Sequence, residues 1–224
     1  MKDNVLRESF RTAGKEYGFD DVNAEFVAFK EFKIRWQRSH GKADFRVSDY
    51  LSGAGREMLE GIARALFSRI SGCEMGYPEE MREWVASESF IKKKQPVYIR
   101  RSKTLTRSPK GEHRDLRDSY RRLTEAGLIP HDPDVRVLWT TEHNIRRVGY
   151  CSVLMKVIAV SSVFDNEMIP EFVLDYVVYH EFLHILVGFD PFGRNHSPDF
   201  VKEEQRYPKR KEAEEWVKSL CLYM

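Results

Sequence analysis

Residues 171–188, EFVLDYVVYHEFLHILVG, constrain this chain more than any other stretch. Phe172, Val173, Leu174, Val177, Val178, Phe182, Leu183, Ile185, Leu186 and Val187 leave almost no polar side, so a helix formed here is buried all round. Pro170 is suited to start that helix and Gly188 to end it. The run is shorter than the roughly 20 residues that cross a bilayer and carries Asp175 and Glu181, which argues against a membrane span. His180, Glu181 and His184 would cost on the order of several kcal/mol if buried without partners. His180 and His184 stand at i and i+4, so their imidazoles project from neighbouring turns toward one point, and a shared cation offsets the cost. Glu181, ~100° round the helix from His180, is placed to hold a metal-bound water without filling a coordination position. Hydrogen-bonded core histidines are the alternative account of the same residues.

A catalytic zinc takes three protein ligands and keeps a fourth position open. His196 is the natural third ligand. The loop before it is rich in Gly, Pro and Asp and allows the chain to reverse. Ser197, Pro198 and Asp199 then read as N-cap, first helical residue and first-turn acid of a following helix, so the start of that helix holds the ring of His196. Glu203 and Glu204 in the same helix are the alternative third ligands.

Four motifs share an order along the chain: RVGYCS at 147–152, KVIAVSS at 156–162, PEFVLDYVVYHEFLH at 170–184 and NHSPDF at 195–200, followed by Tyr207-Pro208. In that order they resemble the YgjP/SprT-like zinc metallopeptidase families, which show a Gly-x-Cys-Ser strand, a short strand, an HExxH helix and a helix start carrying the third His ligand. The resemblance covers roughly the last third of the chain. It implies a zincin-type core in which His180, His184 and His196 bind Zn2+ and Glu181 is the general base of peptide hydrolysis. Tyr150 departs from the small Ser usual in those families, and the interval between His184 and His196 is longer.

The 224 residues, 42% hydrophobic and 32% charged, suit one or two compact domains with a sizeable core. No apolar segment follows Met1, so neither a secretory signal nor an anchor is expected. Cys73, Cys151 and Cys221 are odd in number and far apart, which fits a reducing compartment and argues against a cysteine-based zinc site. A cytoplasmic protein is the expectation.

Residues 1–18 are polar, with a short helical stripe at Val5, Leu6 and Phe10, and are expected to be poorly anchored. Phe32, Ile34 and Trp36 alternate with charged and polar residues as in a half-buried strand; a turn over 38–44 leads to a second strand at 45–47. Helices are predicted at 56–70, from Tyr77 to about Val85, at 114–126 and at 209–223. Strands are predicted at 135–139, 148–152 and 157–160. The strand at 157–161, just before the metal helix, is expected to offer an edge along which a substrate peptide lies extended.

The net charge of +2 hides a local excess over residues 92–122, where Lys92, Lys93, Lys94, Arg100, Arg101, Lys103, Arg107, Lys110, Arg114, Arg117, Arg121 and Arg122 face few acids. A solvated basic face is the plain reading; contact with nucleic acid is the sharper one. Together these features give an α+β fold, with a small mixed sheet packed on the HExxH helix in residues 131–224 and a largely helical, basic region in residues 1–130. The expected function is zinc-dependent hydrolysis of a protein or peptide substrate through a zinc-bound water activated by Glu181. A SprT-like protease associated with nucleic acid and a non-catalytic protein with a structural zinc are the alternatives. Tyr150, His143, Arg194 and Tyr207 are the candidates for stabilising the oxyanion.

Overall fold

The computed structural model describes residues 2–73, 75–189 and 196–220. The chain forms two compact units, Met1–Phe90 and Ile91–Met224, so the division falls earlier than the 130/131 boundary drawn from the chemistry of the sequence.

In the first unit the chain forms helix α1 (Lys2–Glu16), strands β1 (Asp21–Val27), β2 (Ile34–Ser39) and β3 (Lys42–Ser48), then helices α2 (Arg56–Ile70) and α3 (Glu79–Ala86). The sheet order is β1-β3-β2, with β1 parallel and β2 antiparallel to β3. Val22, Ala24, Ala43, Phe45 and Val47 turn inward, and their alternating neighbours face out. Leu6, Phe10 and Ala13 of α1 are fully buried, with the Phe10 ring 4.9 Å from that of Phe45. The N-terminal segment is therefore a core helix and not a loose end. Its apolar residues recur at helical spacing, but the charges on its outer face dominate the composition. Gly14 permits the close approach of α1 to β1, since a Cβ there would lie 2.6 Å from Val22 Cγ2. Outside, Glu16 accepts from Arg64 of α2 at 2.9 Å.

The turn between β2 and β3 is also shorter than expected. Ser39 pairs with Lys42, so only His40 and Gly41 (φ +73°) make the loop. Lys42 and Asp44 are outward-facing strand residues, whose polarity mimics a loop in the sequence.

Helix α4 (Glu88–Arg101) begins in the first unit and continues into the second. Its three consecutive lysines and the internal Pro96, which has no N–H to donate, conceal it from periodicity. Gln95 anchors it, donating to the carbonyls of Asp134 (2.7 Å) and Met155 (2.8 Å).

The rest of the second unit runs α5 (Leu116–Glu125), β4 (Arg136–Trp139), β5 (Gly149–Ser152), β6 (Val157–Val160), α6 (Glu171–Val187), α7 (Pro198–Glu204) and α8 (Arg210–Lys218). Residues 221–223, included in the expected last helix, lie outside the described residues. The sheet order is β4-β6-β5, and β6 is wholly buried against the apolar side of α6. The architecture is thus α+β with two small mixed three-stranded sheets. Among the described residues no helix is long and apolar enough to cross a membrane.

One expectation is overturned here. Strand β6 pairs in parallel with β4 and antiparallel with β5, so both its edges are taken and no peptide can add along 157–161. The edges of the sheet are β4 and β5, and β5 is the one that borders the HExxH helix. Val148 accepts from the Ser161 N–H at 2.8 Å, and the alternation of an antiparallel ladder then turns the peptide groups of Gly149 and Cys151 away from β6.

Asp175 fixes α6 to α5. Its carboxylate accepts from Ser119 Oγ (2.5 Å), Arg122 Nε (2.8 Å) and Arg122 Nη2 (2.7 Å), so the buried acid is fully partnered. Removing it leaves a partly buried guanidinium without its counter-ion. Asp175→Ala is expected to lower unfolding stability by about 3 kcal/mol. Glu171→Ala, which removes only an exposed contact to Arg122 at 3.5 Å, should cost less than about 0.5 kcal/mol. Urea denaturation measures both; equal losses would show that the buried pair does not anchor α6.

Candidate metal centre

Helix α6 carries His180 and His184 on one face, with ring centroids 5.4 Å apart. The chain returns to place His196 immediately before α7, where Ser197 caps the helix by accepting from the Phe200 N–H at 3.2 Å and Pro198 takes the first turn. The His196 ring lies 5.1 Å from that of His180 and 5.2 Å from that of His184. One ligand nitrogen from each of the three lies within 4.8 Å of the others. Phe200, almost fully buried, packs against all three rings with centroid distances of 5.1, 4.7 and 4.6 Å to His180, His184 and His196. It gives the cluster an apolar support.

Glu204, an alternative third ligand, instead pairs with His180 and lies outside the three-imidazole cluster. His180 Nδ1 lies 2.6 Å from Glu204 Oε1, which also accepts from the Tyr176 hydroxyl at 3.1 Å. Hydrogen bonding to His180, the larger cause, and to Tyr176 holds the Glu204 carboxyl below the usual carboxylate range. With Nδ1 engaged by this acid, Nε2 is the nitrogen His180 has left for a metal. Glu203 is also committed elsewhere: its carboxylate pairs with Arg206 at 2.6 Å, and its carbonyl accepts from the Tyr179 hydroxyl at 2.5 Å.

Burial, helped by the neighbouring imidazoles, pushes the His184 pKa down to about 4, and burial likewise lowers that of His196. Both are therefore neutral near pH 7, the protonation state that a metal ligand requires. Neutral nitrogens, convergence, a fixed tautomer and an apolar backing fit a borderline cation such as zinc.

Glu181 points to the sheet side of the same helix and is 7% exposed. Burial raises its pKa to about 7, against the opposing pull of His180 and Arg147. Glycine at its neighbour on β5 leaves room for this carboxylate, since a Cβ at position 149 would lie 2.7 Å from Glu181 Oε1 and the side chain would have to move. A cleft of about 350 Å3 opens over these groups, lined by Arg147, Gly149, Tyr150, Cys151, Val153, His180, Glu181, His184 and His196.

Of the four oxyanion candidates, Tyr150 lines this cleft. Tyr207 is buried and donates to the Phe172 carbonyl at 2.7 Å, so its hydroxyl is occupied in the core. His143 is exposed and outside the lining, and Arg194 lies outside the described residues. Sequence reasoning did not foresee the parts played by Gly149, Arg147, Phe200 and the Tyr176–Glu204 pair. A glycine within a strand is a signal for the first of these; the others depend on contacts between distant elements.

The basic stretch is largely occupied. Arg114 donates to the carbonyls of Asn166 and Ile169, Arg122 to Asp175, and Arg107 to those of Ile99 and Arg100. Arg117 and Arg121 pair with Asp115 and Asp118 beside them.

Because Glu204 orients His180, Glu204→Gln is expected to weaken metal binding by about 10–100-fold. Glu203→Gln should leave affinity essentially unchanged. Competition with a chromophoric chelator measures both; the opposite ranking would make Glu203 the acid that supports the centre. No protein-family model, curated protein or solved structure matches this chain, which leaves the three imidazoles and Glu181 as the features that bear on function.

Proposed function

We propose that this chain is a zinc-dependent metallopeptidase with a zincin-like core, of the YgjP/SprT-like kind that its motifs resemble. The observation that carries this reading is the convergence of three imidazoles beside a buried Glu181 in a cleft under the edge strand β5. His180, His184 and His196 would hold the ion. Zinc, when bound, supplies Lewis acidity, which polarises a carbonyl and acidifies water. A structural zinc is served less well by this arrangement, since structural sites close with four protein ligands and the three histidines here line a cleft.

The chain's own groups divide the remaining work. Glu181 Oε accepts the proton of the water that attacks the peptide carbonyl, and returns it to the nitrogen of the leaving amine. Gly149 allows the strand to run close over that carboxylate. The outward peptide groups of Gly149 and Cys151 are suited to bond the backbone of an extended substrate, which gives affinity without demanding a sequence. Tyr150 lines the cleft and is the remaining described candidate for a hydrogen bond to the oxyanion. A nucleic-acid-associated form of the reading draws less support, because Arg107, Arg114, Arg117, Arg121 and Arg122 have partners within the chain.

Glu181→Gln keeps the shape of the side chain and loses the base. It is expected to retain the metal and to lose at least about 100-fold in peptide hydrolysis, as measured with zinc-loaded protein and an unstructured protein substrate. Gly149→Ala should also impair hydrolysis, by displacing Glu181, with its metal content unchanged. Cleavage by the Gln variant at the wild-type rate would overturn the role of Glu181.

A further inference from the structure

We propose that Arg147 reads a carboxylate on the substrate, so that the cleft selects peptides carrying an acidic side chain or a free C-terminus close to the bond that is cut. This deepens the peptidase reading and rests on it.

Arg147 stands just before β5 and lines the same cleft as His180, Glu181 and His184. Its guanidinium carbon lies 4.4 Å from the centroid of the Tyr150 ring. A cation held against an aromatic face keeps its orientation while its N–H fork remains available at the edges. Three other arginines around the metal helix are already committed. Arg122, Arg206 and Arg210 each pair with a carboxylate, at 2.7, 2.6 and 2.6 Å. Among the described residues no carboxylate pairs with Arg147. A guanidinium that is oriented, lacks an anionic partner and opens onto a cleft is a recognition group for an anion, and its planar fork matches a carboxylate with two parallel bonds.

The chemistry of the site favours the same ligand. A peptide lying along β5 passes Arg147 at one end of the strand and Gly149 and Cys151 beyond it. Backbone bonds to that edge are indifferent to sequence, so selectivity must come from side chains at the rim. Arg147 is a cationic side chain of that rim. Arg146, its neighbour, lines the adjoining cavity but not the metal cleft, and so controls for positive charge near the site without contact in the cleft.

The test uses the zinc-loaded Glu181→Gln protein, in which binding is read without turnover. Fluorescein-labelled short peptides that differ only as Glu against Gln at each position, and as C-terminal acid against amide, separate the two sources of carboxylate. The expected result is about tenfold tighter binding of one carboxylate form, diminished by added salt. Arg147→Gln should erase that preference, Arg147→Lys should keep part of it, and Arg147→Glu should reverse it in favour of a Lys-bearing peptide. Arg146→Gln should leave it intact. Absence of a preference in the parent protein, or equal weakening of all peptides by Arg147→Gln, would overturn the proposal. Wild-type cleavage of the same peptides then tells the two readings apart. Cleavage without charge preference sinks carboxylate recognition alone, and carboxylate-selective binding without any cleavage sinks the peptidase reading alone.

Discussion

Helix α6 is buried over most of its length, and a buried helix tolerates polar groups best where they have partners, as Asp175 and His180 do. Asp175 is ion-paired with Arg122 and accepts a hydrogen bond from Ser119, and His180 is hydrogen-bonded to Glu204. Asp175 and His180 lie at different levels of the helix and are met by different elements, α5 and α7 respectively. These polar contacts fix the rotation and axial position of α6 more sharply than apolar packing alone would. With α6 fixed, the direction of His180 and His184 is fixed as well.

The third imidazole depends on a local device. Ser197 caps α7 and Pro198 sets its first turn, so the residue just before them is held at the start of a helix and away from a free loop. Phe200, one turn further on, wedges an apolar ring against all three histidines. Its burial contributes to the low-dielectric environment that keeps His184 neutral. The sheet contributes from the opposite direction. Strand β6 is central and buried, which leaves β5 as an edge, and glycine at 149 lets that edge lie against Glu181. The three imidazoles, Glu181 and the strand edge thus come from α6, the start of α7 and β5, which meet in the folded second unit.

Much of this was legible in the sequence because its signals are local. The spacing of His180 and His184, the apolar envelope of α6 and the Ser197-Pro198 helix start are each written within a few residues. The α+β class followed from periodicity, and α2, β6 and α6 fall close to their expected limits. Other features were not legible because they depend on pairing. Strand β1 has only Val22 and Ala24 as its buried pair, too short an alternation to stand out, and α1 hides its core stripe among charges. The order β4-β6-β5 cannot be read from chain order, so the edge was assigned to the wrong strand. Glu204 as an orienting acid and Tyr207 as a core hydroxyl are likewise properties of contacts between α6 and the elements that follow it.

The central claim is that His180, His184 and His196 together form one zinc site. X-ray absorption at the zinc edge of purified protein, compared with His196→Ala, tests it most directly, because the fine structure counts imidazole ligands and distinguishes sulfur from lighter atoms. Three imidazoles and no sulfur in the wild type, falling to two in the variant, is the predicted result. A sulfur ligand, which Cys151 in the cleft wall could supply, or an unchanged imidazole count in the variant, would contradict it.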